Sequence, residues 1–169
     1  MSSDQLAALA ELGHLLSHHG LVYWLFGGWA VDFHTGRVTR EHGDIDIAVW
    51  ADDRARIETL LLEHAWAHRP EDGEDGYTRY ERQGVRLEVA FLARDERERI
   101  YTPLRDGRGE WPANSFEDDV VHLQGTWARV VSRASLVADK SVIRPDAETA
   151  VKDRADVASL LGRPPVARP

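Results

Sequence analysis

Cysteine is absent from this 169-residue chain. Disulfides and thiolate metal sites are therefore excluded, and a reducing, cytoplasmic setting is the simple expectation. Long apolar runs are missing too: no stretch approaches the roughly 20 residues that cross a bilayer. The start, MSSDQLAALAELG, lacks the basic and apolar blocks of a secretory leader. Positive charge is the scarcer sign, with 21 Lys and Arg against 29 Asp and Glu and a net charge of −8. Such a balance argues against nonspecific binding to a nucleic-acid backbone, which needs a basic surface. It suits a cationic small molecule, and it equally suits the ordinary need of a domain to stay in solution. Repeats and low-complexity linkers are also lacking, so one domain is expected.

The residues present are those of a packed domain, with 43% hydrophobic and six Trp. Leu6, Leu9, Leu12, Leu15 and Leu16 recur at helical spacing, which predicts a helix over Gln5–His19 with Asp4 as N-cap and Gly20 as stop. Leu21–Phe26 reads as a buried strand, Trp29–His34 as a short helix and Asp44–Trp50 as a second strand. A long helix follows over residues 51–65, capped by Asp52 or Asp53. Glu71–Tyr77 is a turn or loop. A hairpin turning at Gln83-Gly84 joins strands near Tyr77–Glu81 and Val85–Leu92. Arg94–Arg99 is charged and exposed, Gly107–Asn114 irregular, and a further hairpin turns near Gly125. Helices over Ser135–Ile143 and Asp146–Leu161 close the fold, ahead of a frayed tail. This order predicts an α+β fold: a mixed β-sheet with helices on one face and C-terminal helices.

Asp44 and Asp46 flank Ile45 in an otherwise apolar run. In a strand, residues two apart share a face, so both carboxylates point one way while Ile45 and Ile47 enter the core. Like charges this close raise each other's pKa unless a cation sits between them. Hard oxygen ligands on a rigid strand suit Mg²⁺, together with substrate phosphates. A solvated edge strand would carry them as well. Glu88, in RLEVAF, is a third acid between apolar neighbours. It completes a three-carboxylate cluster if its strand adjoins the first; otherwise it is one polar residue of an amphipathic strand.

Gly27 and Gly28 end a strand ahead of a helix, where bare backbone N–H groups can approach a phosphate, or where a plain tight turn suffices. Arg37, Arg40 and His42 lie just before the aspartates, placed to neutralise a polyphosphate or simply solvated. His42 serves equally well as an anchor that orients an aspartate. Asp32 braces the short helix, and Trp29 packs in the core.

GGWAVD followed by GRVTREHGDIDI closely resembles the nucleotidyltransferases that inactivate aminoglycoside and lincosamide antibiotics, members of the DNA polymerase β-like superfamily. The matching positions are Gly27, Gly28, Trp29, Asp32, Gly36, Arg37, Arg40, His42, Asp44 and Asp46. Glu88 stands where the wider superfamily usually has Asp, and Gly28 where it often has Ser. The resemblance implies the polymerase β-like nucleotidyltransferase fold over residues 1–169: a catalytic core over about 1–93, acceptor-side strands and C-terminal helices over about 94–162, and a tail over 163–169. It implies transfer of a nucleoside monophosphate from an NTP, ATP first among them, to a hydroxyl of a small acceptor, with release of pyrophosphate. Asp44, Asp46 and Glu88 would hold two Mg²⁺ ions, with Glu88 also a candidate to take the hydroxyl proton. Gly27, Gly28, Arg40, His42 and Lys140 would position the polyphosphate. Asp153 and Asp156 would tie helices together. Acidic runs at Glu71–Asp75 and Glu117–Asp119 give slight support to an amino-sugar acceptor over a lincosamide. A homodimer is compatible with the resemblance; a membrane or a stable nucleic-acid partner is not expected. The same fold also serves regulatory enzymes that modify a protein or tRNA, and modules that keep the fold without the chemistry.

Overall fold

The computed structural model describes residues 2–70 and 76–162. Two stretches read from the sequence, the acidic loop at Glu71–Asp75 and the tail over 163–169, lie outside the described residues.

The first helix, α1 (Ser2–His18), buries Leu9, Leu12 and Leu16, and its leucine spacing explains why it forms. It starts two residues before Asp4, so this acid sits in the first turn and is no N-cap. Gly20, at φ +66°, reverses the chain, and β1 (Tyr23–Phe26) follows. The next helix, α2 (Gly27–Thr35), begins directly at the two glycines rather than after them. Strand β2 (Ile45–Trp50) pairs antiparallel with β1. Asp44, the first residue of the expected strand, lies just ahead of it.

A 3₁₀ turn (Ala51–Asp53) leads into α3 (Arg54–Glu63). The Asp53 carboxylate makes no cap hydrogen bond there; it pairs instead with Arg56 at 2.8 Å. The short β3 (Ala67–His68), absent from the sequence reading, pairs with β4 (Tyr77–Arg82). The expected hairpin then joins β4 to β5 (Val85–Arg94).

Strand β5 lies parallel to β2, the pairing on which the carboxylate argument depends. The sheet order is β1-β2-β5-β4-β3. Alternation places Ile45, Ile47, Leu87, Val89 and Tyr80 on one buried face. Arg54 of α3 stacks over Phe91 on that face at 4.5 Å.

Two strands extend the sheet, one over residues given no element from the sequence and one where irregular chain was expected. β6 (Ile100–Leu104) pairs with the end of β5, and β7 (Gly107–Glu110) pairs with β6. Charge and glycine hid β7, which reads GRGE with no apolar alternation to betray a strand, and β6 carries Pro103 inside it. The following segment carries Trp111 and Phe116, which join Trp24, Phe26 and Trp50 in a chain of edge-to-face contacts at 5.0–5.9 Å. Trp24 and Phe26 lie on the same face as Asp46, so this aromatic cluster covers part of the face that carries the acids.

The hairpin of β8 (Val120–Leu123) and β9 (Thr126–Arg129) turns at Gly125 as expected. Two helices complete the fold. α4 (Arg133–Lys140) is capped by Ser132, which accepts from the Ser135 backbone N–H. α5 (Ala147–Leu160) is capped by Asp146, which accepts from the Thr149 N–H. The Ser132 cap starts α4 two residues earlier than expected, and the helix stops at Lys140. Both helices pack against α2. Among the described residues no helix is long and apolar enough to cross a membrane.

Candidate active site

The ladder hydrogen bonds place Phe26 opposite Asp46, Asp46 opposite Glu88, and Glu88 opposite Arg79. Arg69 continues the row, its backbone N–H donating to the Arg79 carbonyl at 2.7 Å. Two acids and two guanidinium groups therefore cross four strands on one face of the sheet. Asp44 joins them from the bend before β2. With Arg69, Arg79, Glu81, Arg86 and Glu88 it lines a groove of about 330 Å³.

Asp46 is the most perturbed member of the row. Burial pushes its carboxyl well above the ordinary range, and the neighbouring Asp44 and Glu88 charges push it further. Lys140 and Arg40 act in the opposite sense. All four of these sequence-predicted groups are thus within electrostatic reach of one carboxylate.

Gly27 shows why no side chain is admitted at the start of α2. Its φ is +66°, and a Cβ there would overlap the Asp46 carboxylate. A Cβ at Gly28 would overlap the His42 ring and the Arg40 guanidinium. The two glycines let the helix N-terminus, Asp46, His42 and Arg40 close on one spot. The N–H groups at that end have no partner within the helix, and its dipole favours an anion.

His42 is fixed by a residue left out of the catalytic set on sequence grounds. Its Nε2 lies 2.5 Å from Asp32 Oδ2, and Asp32 is fully buried. The other Asp32 oxygen accepts from the Thr39 N–H at 2.9 Å and from the Thr39 hydroxyl at 2.5 Å. The remaining ring nitrogen, Nδ1, is buried without a hydrogen-bond partner and faces Gly28. An unpaired buried polar atom is costly, and here it borders the proposed phosphate cradle. His42 is thus anchored on an aspartate, and its second ring nitrogen faces Gly28.

Arg40 and Lys140 are engaged with acids rather than standing open. Arg40 makes a two-pronged contact with Asp156 at 3.2 and 3.1 Å. Lys140, almost fully buried, reaches Asp156 at 2.8 Å and Asp153 at 3.1 Å. Burial works against the Asp156 charge, yet hydrogen bonds from Arg40 and Lys140 hold its carboxyl below the usual range. Asp153 and Asp156 thus tie α5 to α4 and to the loop before Asp44, the bracing role expected of them.

Glu88 meets Asp46 through the register but sends its carboxylate the other way, to Arg79 Nε at 3.0 Å. Arg79 was not singled out from the sequence, although a two-residue turn at Gln83-Gly84 pairs it with Glu88 by counting. Tyr77, two residues before it on the same face, borders the acids as well. Burial raises its phenol pKa, and Glu88 raises it further. Its hydroxyl meets Thr102, which also accepts from Trp111 Nε1 at 3.0 Å. Thr102 and Trp111 thus back Tyr77 beside the carboxylates.

Among the described residues no three His, Cys, Asp or Glu side chains converge closely enough to hold a metal ion. The donor chemistry still fits a divalent cation. Asp44 and Asp46 offer hard oxygens, and a cation would relieve what raises the Asp46 carboxyl: burial first, then the Asp44 and Glu88 charges.

Comparison with known proteins gives the family and the fold. The family model described as aminoglycoside-2''-adenylyltransferase matches residues 8–160. A 2''-aminoglycoside nucleotidyltransferase of Klebsiella pneumoniae is 33% identical over 61 residues, which are 36% of this chain and 34% of that protein. The chain thus aligns with only about a third of the length of the curated relatives that it matches. The lincomycin-bound structure of the lincosamide antibiotic adenylyltransferase LnuA superposes with a TM-score of 0.72 at 19% identity, covering 94% of this chain and 95% of that one. The structure of ANT(2")-Ia with adenylyl-2"-tobramycin gives 0.71 at 19% identity, covering 94% and 90%. At that identity these likenesses establish the nucleotidyltransferase fold.

Proposed function

The chain belongs to the aminoglycoside-2''-adenylyltransferase family, and on that premise we propose that it moves a nucleoside monophosphate from an NTP, ATP foremost, to a hydroxyl of a small antibiotic, releasing pyrophosphate. The acceptor class is an aminoglycoside or a lincosamide. The observation that carries this reading is the register of Asp46 with Glu88, beside a glycine pair that leaves room only for backbone.

The chemistry of such a transfer is mostly positioning and charge neutralisation. The start of α2 receives the leaving phosphates on its free N–H groups, and His42 Nδ1 borders the same spot. Arg40 and Lys140 add positive charge from one side while staying anchored by Asp156. Asp44 and Asp46 are the residues that would hold Mg²⁺. When bound, that ion neutralises phosphate charge and polarises the phosphorus under attack. Glu88 stands across the row from the phosphates, where it receives the proton of the attacking hydroxyl. Trp111 and Tyr77 wall the cleft and limit access of water.

The test is incubation with labelled ATP and Mg²⁺, with a panel of aminoglycosides and lincosamides in parallel with cell lysate. Label on an antibiotic, confirmed by mass spectrometry as a nucleotide adduct, is the expected result. Label on protein or tRNA alone would replace this reading with a regulatory one.

A further inference from the structure

The side of the site that faces the acceptor carries a group with no role so far. In an in-line displacement the attacking and leaving oxygens lie on opposite sides of the transferred phosphorus. With the pyrophosphate leaving toward the start of α2, the attacking hydroxyl approaches Asp46 from β5 and β4. The side chains that stand there are Glu88 and, directly opposite it, Arg79.

We propose that Arg79 is a positioning residue for the transfer: its guanidinium holds Glu88 on the acceptor side of the carboxylate row, apart from the cation that Asp44 and Asp46 would ligate. The proposal rests on the functional reading above, because it takes Asp46 as the point of transfer. The Glu88 carboxylate accepts from Arg79 Nε at 3.0 Å. The Glu88 main chain is locked between β2 and β4 by ladders on both sides, so only the side chain is free to choose between Asp46 and Arg79. It is drawn to Arg79, and no three-acid cluster forms among the described residues.

The neighbouring row follows the same plan. Glu81 stands opposite Arg86, and Arg86 Nε donates to the Gly43 carbonyl at 3.2 Å, bracing the bend that presents Asp44. The β4–β5 hairpin thus sets one guanidinium behind Asp44 and another behind Glu88. In the step itself the acceptor O–H bond breaks as its oxygen bonds to phosphorus. The bond from phosphorus to pyrophosphate breaks with it, and the proton passes to the Glu88 carboxylate. Only a carboxylate kept out of the cation's coordination has both oxygens available for that proton and for Arg79.

The experiment compares wild type with Glu88→Gln, Arg79→Gln and Arg79→Lys. Mn²⁺ binding is read by electron paramagnetic resonance in the presence of a non-hydrolysable ATP analogue, and kcat and KM are measured with the best acceptor of the panel. Glu88→Gln is expected to lower kcat by at least about a hundredfold, as for loss of a proton acceptor, with little change in Mn²⁺ affinity. Arg79→Gln is expected to lower kcat roughly tenfold, the scale for an orienting partner, with KM for ATP and Mn²⁺ affinity nearly unchanged. Arg79→Lys keeps the charge and restores a large part of kcat. A fall of more than about a hundredfold in Mn²⁺ affinity on Glu88→Gln, beyond the roughly ten- to hundredfold of an orienting partner, makes Glu88 a cation ligand and overturns the proposal. An unchanged kcat in Arg79→Gln does so as well. Should the wild type label no acceptor at all, the functional reading fails, while the Mn²⁺ comparison still decides whether Glu88 stands apart from the cation.

Discussion

On the α2 side of Asp46 the acids and Lys140 are closed off from water and Arg40 reaches it at 27% exposure, whereas on the β4 side both partners of the pair stand partly in it. The Asp156 side chain is 2% exposed where it meets Arg40, and Lys140 is 7% exposed where it meets Asp153. Arg79 and Glu88 are 38% and 21% exposed. Buried charges are tolerated only when fully paired, and breaking one pair leaves the partner stranded. Half-exposed pairs exchange partners at little cost. Under the proposed function the phosphate side is thus a scaffold in place before a nucleotide arrives, and the acceptor side is held by contacts that an incoming hydroxyl compound can rearrange.

The sharpest way to break this contrast is Asp156→Ala. It removes the partner of Arg40 and leaves Lys140 with Asp153 alone, and is expected to cost up to about 3 kcal/mol, the low end of the scale for breaking a buried pair, read as a large drop in the thermal midpoint. In the wild type the same contribution should depend on pH. The folded-state carboxyl is held low, so its stabilisation is fully present above the ordinary carboxylate range and is lost as pH falls through the lowered value. Wild type should lose its advantage over the variant in acid, and an advantage independent of pH would contradict the assignment.

Gly28→Ala comes next. The added methyl overlaps the His42 ring and the Arg40 guanidinium, and overpacking of this kind costs about 1–3 kcal/mol. The protein should still fold, with KM for ATP raised. A variant with unchanged nucleotide affinity would dissociate His42 and Gly28 from the phosphate site.

The smallest effect belongs to the open flank. Arg79→Gln should cost under about 1 kcal/mol of stability, because its pair with Glu88 is half exposed, even though its effect on turnover is measurable. A loss as large as that of Asp156→Ala would erase the distinction between the two sides.

The same distinction explains how much could be read in advance. The phosphate side is encoded locally: Gly27, Gly28, Arg40, His42, Asp44 and Asp46 sit within one short stretch, so their spacing alone brings them together. The Arg79–Glu88 contact was also legible, since a two-residue turn fixes the register of β4 on β5. The parallel neighbourhood of Asp46 and Glu88 was not, because β2 and β5 are joined through α3 and two strands, and nothing local sets which strand a crossover returns to. Asp32 was read as a brace for α2. It braces His42 through a contact across ten residues that no periodicity announces. β7 escaped because it reads GRGE and shows no apolar alternation, and β6 because it is short and carries Pro103, a residue that argues against a strand.

Transfer itself tests the central claim that Asp46 is where the phosphate and acceptor sides meet. The measurement is the rate at which labelled AMP appears on the best acceptor with wild type and with Asp46→Asn, at matched fold content by circular dichroism. The account predicts robust labelling by wild type and a loss of roughly a thousandfold in the variant, the scale for removing a group that stabilises developing charge. Labelling by Asp46→Asn at near the wild-type rate would contradict it.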